Sequence, residues 1–430
     1  MPSNGLIWED NVGKKLLIKN AAELVTCRGI APKTGAAMAD IGIIPDGAMW
    51  IKDGVIRRVG TTAEVMDGLD AAGAEVIDAA GHCVLPGFVD PHTHFLFAGN
   101  RAEEFSWRLR GDTYMQIMER GGGIVNTVRA TREAPQEELL ATGWQRLSSM
   151  LSFGVTTVEG KSGYGLDAAN ELKQLEVMAQ LGREHVVEVV PTFMGAHAVP
   201  PEYKGRTDEF VAYLLETVLP LVAESKQAEF CDVFCEKGVF TVEQSRQLLL
   251  AAQGMGMKSK VHADEIVSFG GAELSAEIGA VSAEHLLHAS DEGIRRMGEA
   301  GVIAVLLPAT AFCLRENYAR ARFMIDHGVP VALATDFNPG SCFTESIPLV
   351  IALAALYMQM TPAEIVTALT INSAAAVGRA DRIGSLEVGK QADFIILSHP
   401  SHLYLPYHAG VNCVETVVKR GQIVHDIHFI

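Results

Sequence analysis

The sequence predicts an α/β protein: a (β/α)8 TIM barrel with a small β-sandwich domain built from both chain termini. Eight short apolar runs alternate with amphipathic helical stretches across residues 84–384, and such alternation implies parallel strands. No GxGxxG follows the first run, which argues against a doubly wound open sheet. Strand-like, turn-rich segments stand at both ends, 1–83 and 385–430, and the first is too short to bury a large core alone. The two termini are therefore expected to meet in one small domain, with the barrel inserted between them.

In chain order, 16–19, 48–52, 55–59 and 75–79 are β runs, and Asp53-Gly54 between two of them is a strong hairpin signal. The first barrel strand is read at 84–89. Pro135 opens a helix whose Leu140, Trp144, Leu147 and Leu151 fall at helical spacing, with Gly154 placed to cap its end. Strands follow at 155–158, 185–192, 230–235, 258–262, 283–287, 302–307 and 330–335. Helices are read between them at 172–181, 209–223, 242–253, 271–278, 291–300 and 319–326, with more after Glu345. Runs 392–397 and 414–425, the latter turning at Arg420-Gly421, return to the small domain.

The 430 residues leave ample chain for a barrel of roughly 250 residues plus a partner domain. Lys plus Arg total 35 against 52 Asp plus Glu, a formal net charge of −17, which argues against nucleic acid or an anionic membrane as partner. Seven Cys without a CxxC do not form a disulfide framework or a thiolate zinc site, and they fit a reducing cytoplasm. The first ten residues lack a basic start and a long apolar region, so no signal peptide is expected. The apolar run 347–358 is too short to span a bilayer.

Chemistry concentrates at strand ends. Residues i and i+2 of a strand face one way, so His92 and His94 present two imidazoles side by side, stiffened by Pro86, Gly87 and Pro91, with Asp90 expected to orient an imidazole. Glu159, His197, Glu236, His262, Glu265, His285 and Asp336 fall at the ends of later strands, where barrel active sites collect. Their shared position on one rim favours a metal site over scattered core histidines and turn aspartates.

These residues carry a resemblance. The stretch Gly81-His-Cys-Val-Leu-Pro-Gly-Phe-Val-Asp-Pro-His-Thr-His94, the late Asp336 and the stretch 384–394 resemble the amidohydrolase superfamily. The stretches 97–105, 120–124, 159–165, 195–198, 261–265 and 335–340 resemble, within it, the hydrolases that open an imidazolone ring in histidine breakdown. The likeness covers almost the entire chain. It implies one Zn or Fe ion per chain on His92, His94, His262 and Asp336, and a small-molecule substrate with a carboxylate tail. That substrate would be held by Arg101, Tyr114, Tyr164, His197, Glu265 and Ser341, with Asn338 and Gly340 contributing through the last loop.

The expected reaction is hydrolysis of the ring C–N bond of 4-imidazolone-5-propanoate to N-formimino-L-glutamate, with Asp336 shuttling the proton. His285 and Glu265 are the further catalytic candidates, their division of roles left open. Arg101 offers a two-pronged match to a carboxylate, against the plainer reading of an ion pair with Glu103 or Glu104. Two-metal relatives carry a bridging lysine at the end of strand four, whereas here that strand ends Phe234-Cys235-Glu236-Lys237, so a single metal is expected, with Glu236 facing the rim. A homodimer is expected from the likeness and from the commonness of twofold assemblies. The nearest rival is an aminohydrolase acting on a nucleobase-like ring, which predicts aromatic and amide contacts instead of an arginine. A non-catalytic scaffold would have lost ligands.

Overall fold

The computed structural model describes residues 11–429 apart from 113–115, 117–119 and 121. Eight parallel strands follow one another in sheet order: Phe88–Asp90, Val155–Lys161, Glu188–Ala196, Phe230–Cys235, Lys258–Ala263, Ser282–His285, Ile303–Leu306 and Val331–Leu333. Closure comes just past the ends of the last and first strands. Asp336 N donates to His92 O at 3.1 Å and His94 N donates to Phe337 O at 2.9 Å. The Asp90 carboxylate reinforces the seam, accepting from Thr335 N (3.2 Å) and Thr335 Oγ1 (2.6 Å). Asp90 thus ties strand one to the segment after strand eight; the expectation that it orients an imidazole is corrected.

Helices cover the strands as their patterns require. Gln136–Ser152 buries Leu139, Leu147 and Leu151, and Gly154 beyond its end takes φ +89°, a left-handed conformation that glycine adopts without a Cβ clash. The expected helix 209–223 is broken by a π turn over Leu214–Val218, between Thr207–Tyr213 and Leu219–Ser225. A short helix not anticipated, Pro308–Leu314, follows strand seven.

The run 84–89, read as one strand, is two. Cys83–Pro86 pairs with Lys15–Val25 and Phe394–Leu397 in the terminal sheet, while Phe88–Asp90 opens the barrel. Gly87 makes the switch possible, because a Cβ there would sit 2.5 Å from Thr156 Cγ2 on strand two.

The two termini build one eight-stranded mixed sheet, with Gln422–Asp426, Val414–Lys419, Phe394–Leu397, Cys83–Pro86, Lys15–Val25, Ile43–Lys52 and Val55–Thr61 in that order and Glu75–Asp78 pairing with Lys15–Val25. The sheet curls over itself, since Ile56 N donates to Lys390 O and Ala392 N to Gly54 O. Its inward residues Ile18, Met49, Ile56, Val84, Phe394 and Val418 meet in one core. Asp53-Gly54 and Arg420-Gly421 both place two successive residues at positive φ, the mirror-image turn that matches strand twist. Among the described residues no helix is long and apolar enough to cross a membrane, and all seven cysteines are free.

Candidate metal centre

His262 and His285 on strands five and six, His92 and His94 just past strand one and Asp336 just past strand eight converge on one buried point. The Nε2 atoms of His262 and His94 stand 3.4 Å apart, and Asp336 Oδ1 lies 3.4 Å from His92 Nε2 and 3.8 Å from His94 Nε2. Two nitrogens on one tetrahedral zinc would stand about 3.3 Å apart. The donors fall into two overlapping triads sharing His92, one with His94 and His262 and the other with His285 and Asp336, each with its donor atoms within 4.8 Å of one another.

The electrostatics favour a cation here. Burial holds His92, His94 and His285 well below the ordinary imidazole range, so each ring is neutral and carries a lone pair. Both ring nitrogens of His92, and Nδ1 of His94, are buried without a hydrogen-bond partner. Orphaned polar atoms this deep are costly, and a metal ion where His92 Nε2 meets Asp336 would satisfy that nitrogen. His262 differs: burial pulls its pKa down, but the Asp232 carboxylate prevails and raises it. Its Nδ1 donates to Asp232 Oδ2 at 3.0 Å, which leaves the Nε2 lone pair facing His94.

Beneath these groups lies a floor of buried charge that sequence reading missed. Lys161 Nζ bridges Glu159 Oε1 (2.9 Å) and Asp232 Oδ2 (2.7 Å), and Lys260 Nζ lies 3.4 Å from Glu159 Oε1 and 3.6 Å from Glu284 Oε1. All five side chains are fully buried. Glu159 is therefore part of this floor and not of the rim. Asp232→Asn is expected to lower metal affinity about 10- to 100-fold, because His262 loses its anchor. It should also destabilise the fold by roughly 3–5 kcal/mol by depriving Lys161 of a partner. Metal titration beside chemical denaturation separates the two effects, and unchanged affinity would refute the anchoring role.

Backbone strain gathers at the same rim. His285, Leu286, Asp264 and Asp336 all take positive φ between +51° and +69° without being glycine, each at a cost of order 1–3 kcal/mol. The strain sets side chains where regular strand geometry would not. Asp336 is further fixed by Thr310 Oγ1, which donates to Oδ2 at 2.6 Å from the unanticipated short helix. Burial raises the Asp336 carboxyl to about 6. Burial, with the nearby Asp336 charge, raises Glu265 to about 8, and its Oε1 stands 3.6 Å from His285 Nδ1.

The remaining expected site residues divide. His197 stacks on His94 with ring centres 4.8 Å apart, while its Nδ1 is 3.1 Å from Gly163 O. The Tyr164 ring is buried 6.0 Å from that of His94, and Asp336, Arg101 and Arg146 all lie close enough for their charges to act on its hydroxyl. Arg101 donates through Nε to Glu104 Oε2 at 2.8 Å, so the plainer ion-pair reading holds for that edge. Its Nη1 faces the last loop, where a Cβ on Gly340 would fall 2.2 Å away. Asn338 organises that loop by accepting from Gly340 N and Ser341 N and donating to Asp336 O and Ser341 Oγ. Glu236, expected at the rim, is buried and accepts from Ile266 N and Lys237 N at 2.8 Å. Tyr114 lies outside the described residues.

A curled terminal sheet, a (β/α)8 barrel and a histidine-rich centre with a late aspartate together define a class, and the chain belongs to the amidohydrolase family, whose profile matches residues 83–424. Solved structures share the fold: a zinc-bound adenosine deaminase from Xanthomonas campestris (TM-score 0.70, 20% identity, 96% of this chain and 94% of that one) and Escherichia coli guanine deaminase (0.71, 14%, 96% and 99%). Within the family, the chain is 58% identical over 410 residues to the imidazolonepropionase of Clostridium tetani, covering 95% of this chain and 98% of that protein. It is 60% identical over 409 residues to that of Parabacteroides distasonis, again with 95% and 98% covered.

Proposed function

We propose that this chain hydrolyses the ring C–N bond of 4-imidazolone-5-propanoate, giving N-formimino-L-glutamate in histidine degradation. The observation that carries the reading is identity of 58–60% to imidazolonepropionases along nearly the whole chain, joined to a barrel rim whose donor set is complete. Solved deaminases share only 14–20% identity, which speaks for the fold and not for ammonia release.

His92, His94, His262 and Asp336 would hold one Zn or Fe ion per chain. When bound, the ion supplies Lewis-acid activation of water and of the ring carbonyl. Asp336 takes a proton from the water that attacks the carbonyl carbon and returns it to the departing ring nitrogen as the C–N bond breaks. His285, neutral and close to Glu265, orients the water or polarises the carbonyl, and Glu265, kept protonated by burial, donates to a ring nitrogen. Tyr164 and His197 stand beside the His94 ring, Ser341 lies on the loop that Asn338 holds, and Arg101 beside Gly340 offers its outer edge to the propionate. We read the barrel from Gly87 to 384 as the catalytic unit, the segments before and after it as the accessory domain, and the assembly as a cytoplasmic homodimer.

Metal removal tests the donor assignment. Chelated protein is expected to lose ring opening and to recover it with one equivalent of Zn or Fe. Full activity in metal-free protein would overturn the reading.

A further inference from the structure

A second group of metal-binding side chains lies in the small domain, away from the barrel mouth. His399 follows strand Phe394–Leu397, His408 ends the short helix Tyr404–Tyr407, and Cys413 precedes strand Val414–Lys419. One connection, 398–413, therefore carries all three. Their donor atoms lie within 4.8 Å of one another, with Cys413 Sγ 4.0 Å from His408 Nδ1.

The backbone that presents them is fixed. Ser398 N donates to Cys413 O at 2.9 Å, drawing the two ends of the connection together, and Cys83 N donates to His399 O at 2.7 Å. His408 N donates to Tyr404 O and Val411 N to His408 O, while Asn412 Nδ2 reaches Ser152 O on the barrel at 2.8 Å. The three donors are graded in exposure: Cys413 is buried, His399 is half-buried and stacked on Tyr404, and His408 is exposed. Cys413 is thus the inner donor and His408 the outer one, reachable from solvent, and a rotation of the His408 side chain would bring its nitrogen closer to the sulfur.

We propose that His399, His408 and Cys413 form a second transition-metal site, distinct from the catalytic one. Two imidazole nitrogens and one thiolate select a borderline or soft cation of the Zn2+ class over Mg2+ or Ca2+, which prefer oxygen. Binding displaces the Cys413 thiol proton to solvent, and a water completes the coordination. The bound ion pins the 398–413 connection, and through Asn412 it braces the small domain against the barrel.

The sulfur makes this site separately visible, because the catalytic donors include none. The test is a Co2+ titration of the full chain with its catalytic site already filled by Zn2+. The expected result is one added, exchangeable equivalent with a thiolate-to-cobalt charge-transfer band. Cys413→Ser should lose the band and keep hydrolytic activity. His408→Ala, at an exposed position that leaves the fold intact, should weaken Co2+ binding at least about tenfold. Absence of the band in the parent, its survival in Cys413→Ser, or parent-like binding by His408→Ala would each overturn the proposal. His408→Ala alone decides should Cys413→Ser fail to fold.

Discussion

Asp336→Asn is expected to leave the barrel folded and to cut kcat roughly a thousandfold, about 4 kcal/mol in the barrier. The amide occupies the same volume, and its oxygen can still accept from Thr310 Oγ1, so the local structure survives. What it loses is basicity. A carboxylate that burial raises to about 6 is poised to take and return a proton near neutral pH, whereas an amide is not. The loss should appear in kcat, with metal occupancy measured on the same sample, because an amide is also a weaker ligand. A variant that holds its metal and works within about tenfold of the parent would exclude Asp336 as the shuttle.

Arg101→Met is expected to raise KM strongly with a smaller effect on kcat, costing about 2–4 kcal/mol. The propionate does not change during ring opening, so a guanidinium that grips it contributes equally to ground and transition states. Glu104 occupies Nε and leaves the outer edge of the fork beside Gly340, whose missing side chain makes room for it. Lysine at this position should rescue only part of the loss, because a point charge cannot reproduce the fork. An imidazolone lacking the propionate should be a poor substrate for the parent and should scarcely distinguish parent from variant. If the truncated substrate loses as much as the full one, Arg101 is structural.

The parts of this molecule written as local patterns were legible from sequence. His92 and His94 share a face through the i, i+2 rule, and Asp53-Gly54 and Arg420-Gly421 form the turns their composition demands. Alternation of strand and helix was enough for the barrel. Features set by tertiary packing were not legible. An apolar run cannot disclose that Gly87 divides it between two sheets. Lys161 and Lys260 read as ordinary polar residues on short strands, and only closure of the barrel turns them inward onto Glu159, Asp232 and Glu284. Alternation at 159 and 161, and at 260 and 262, was the available signal, since each pair must share a face. Asp90 was drawn to the histidines by proximity in sequence, although its carboxylate serves the seam with Thr335. Thr310 had no signal at all, because its helix follows a strand end with no polar pattern.

Incubation of the metal-loaded protein with 4-imidazolone-5-propanoate, followed by loss of its ultraviolet absorbance, tests the central claim most directly. The expected result is a steady loss of absorbance with one N-formimino-L-glutamate formed per substrate and no free ammonia, abolished by chelation and restored by metal. Unchanged absorbance with folded, metal-loaded protein, or stoichiometric release of ammonia, would contradict it.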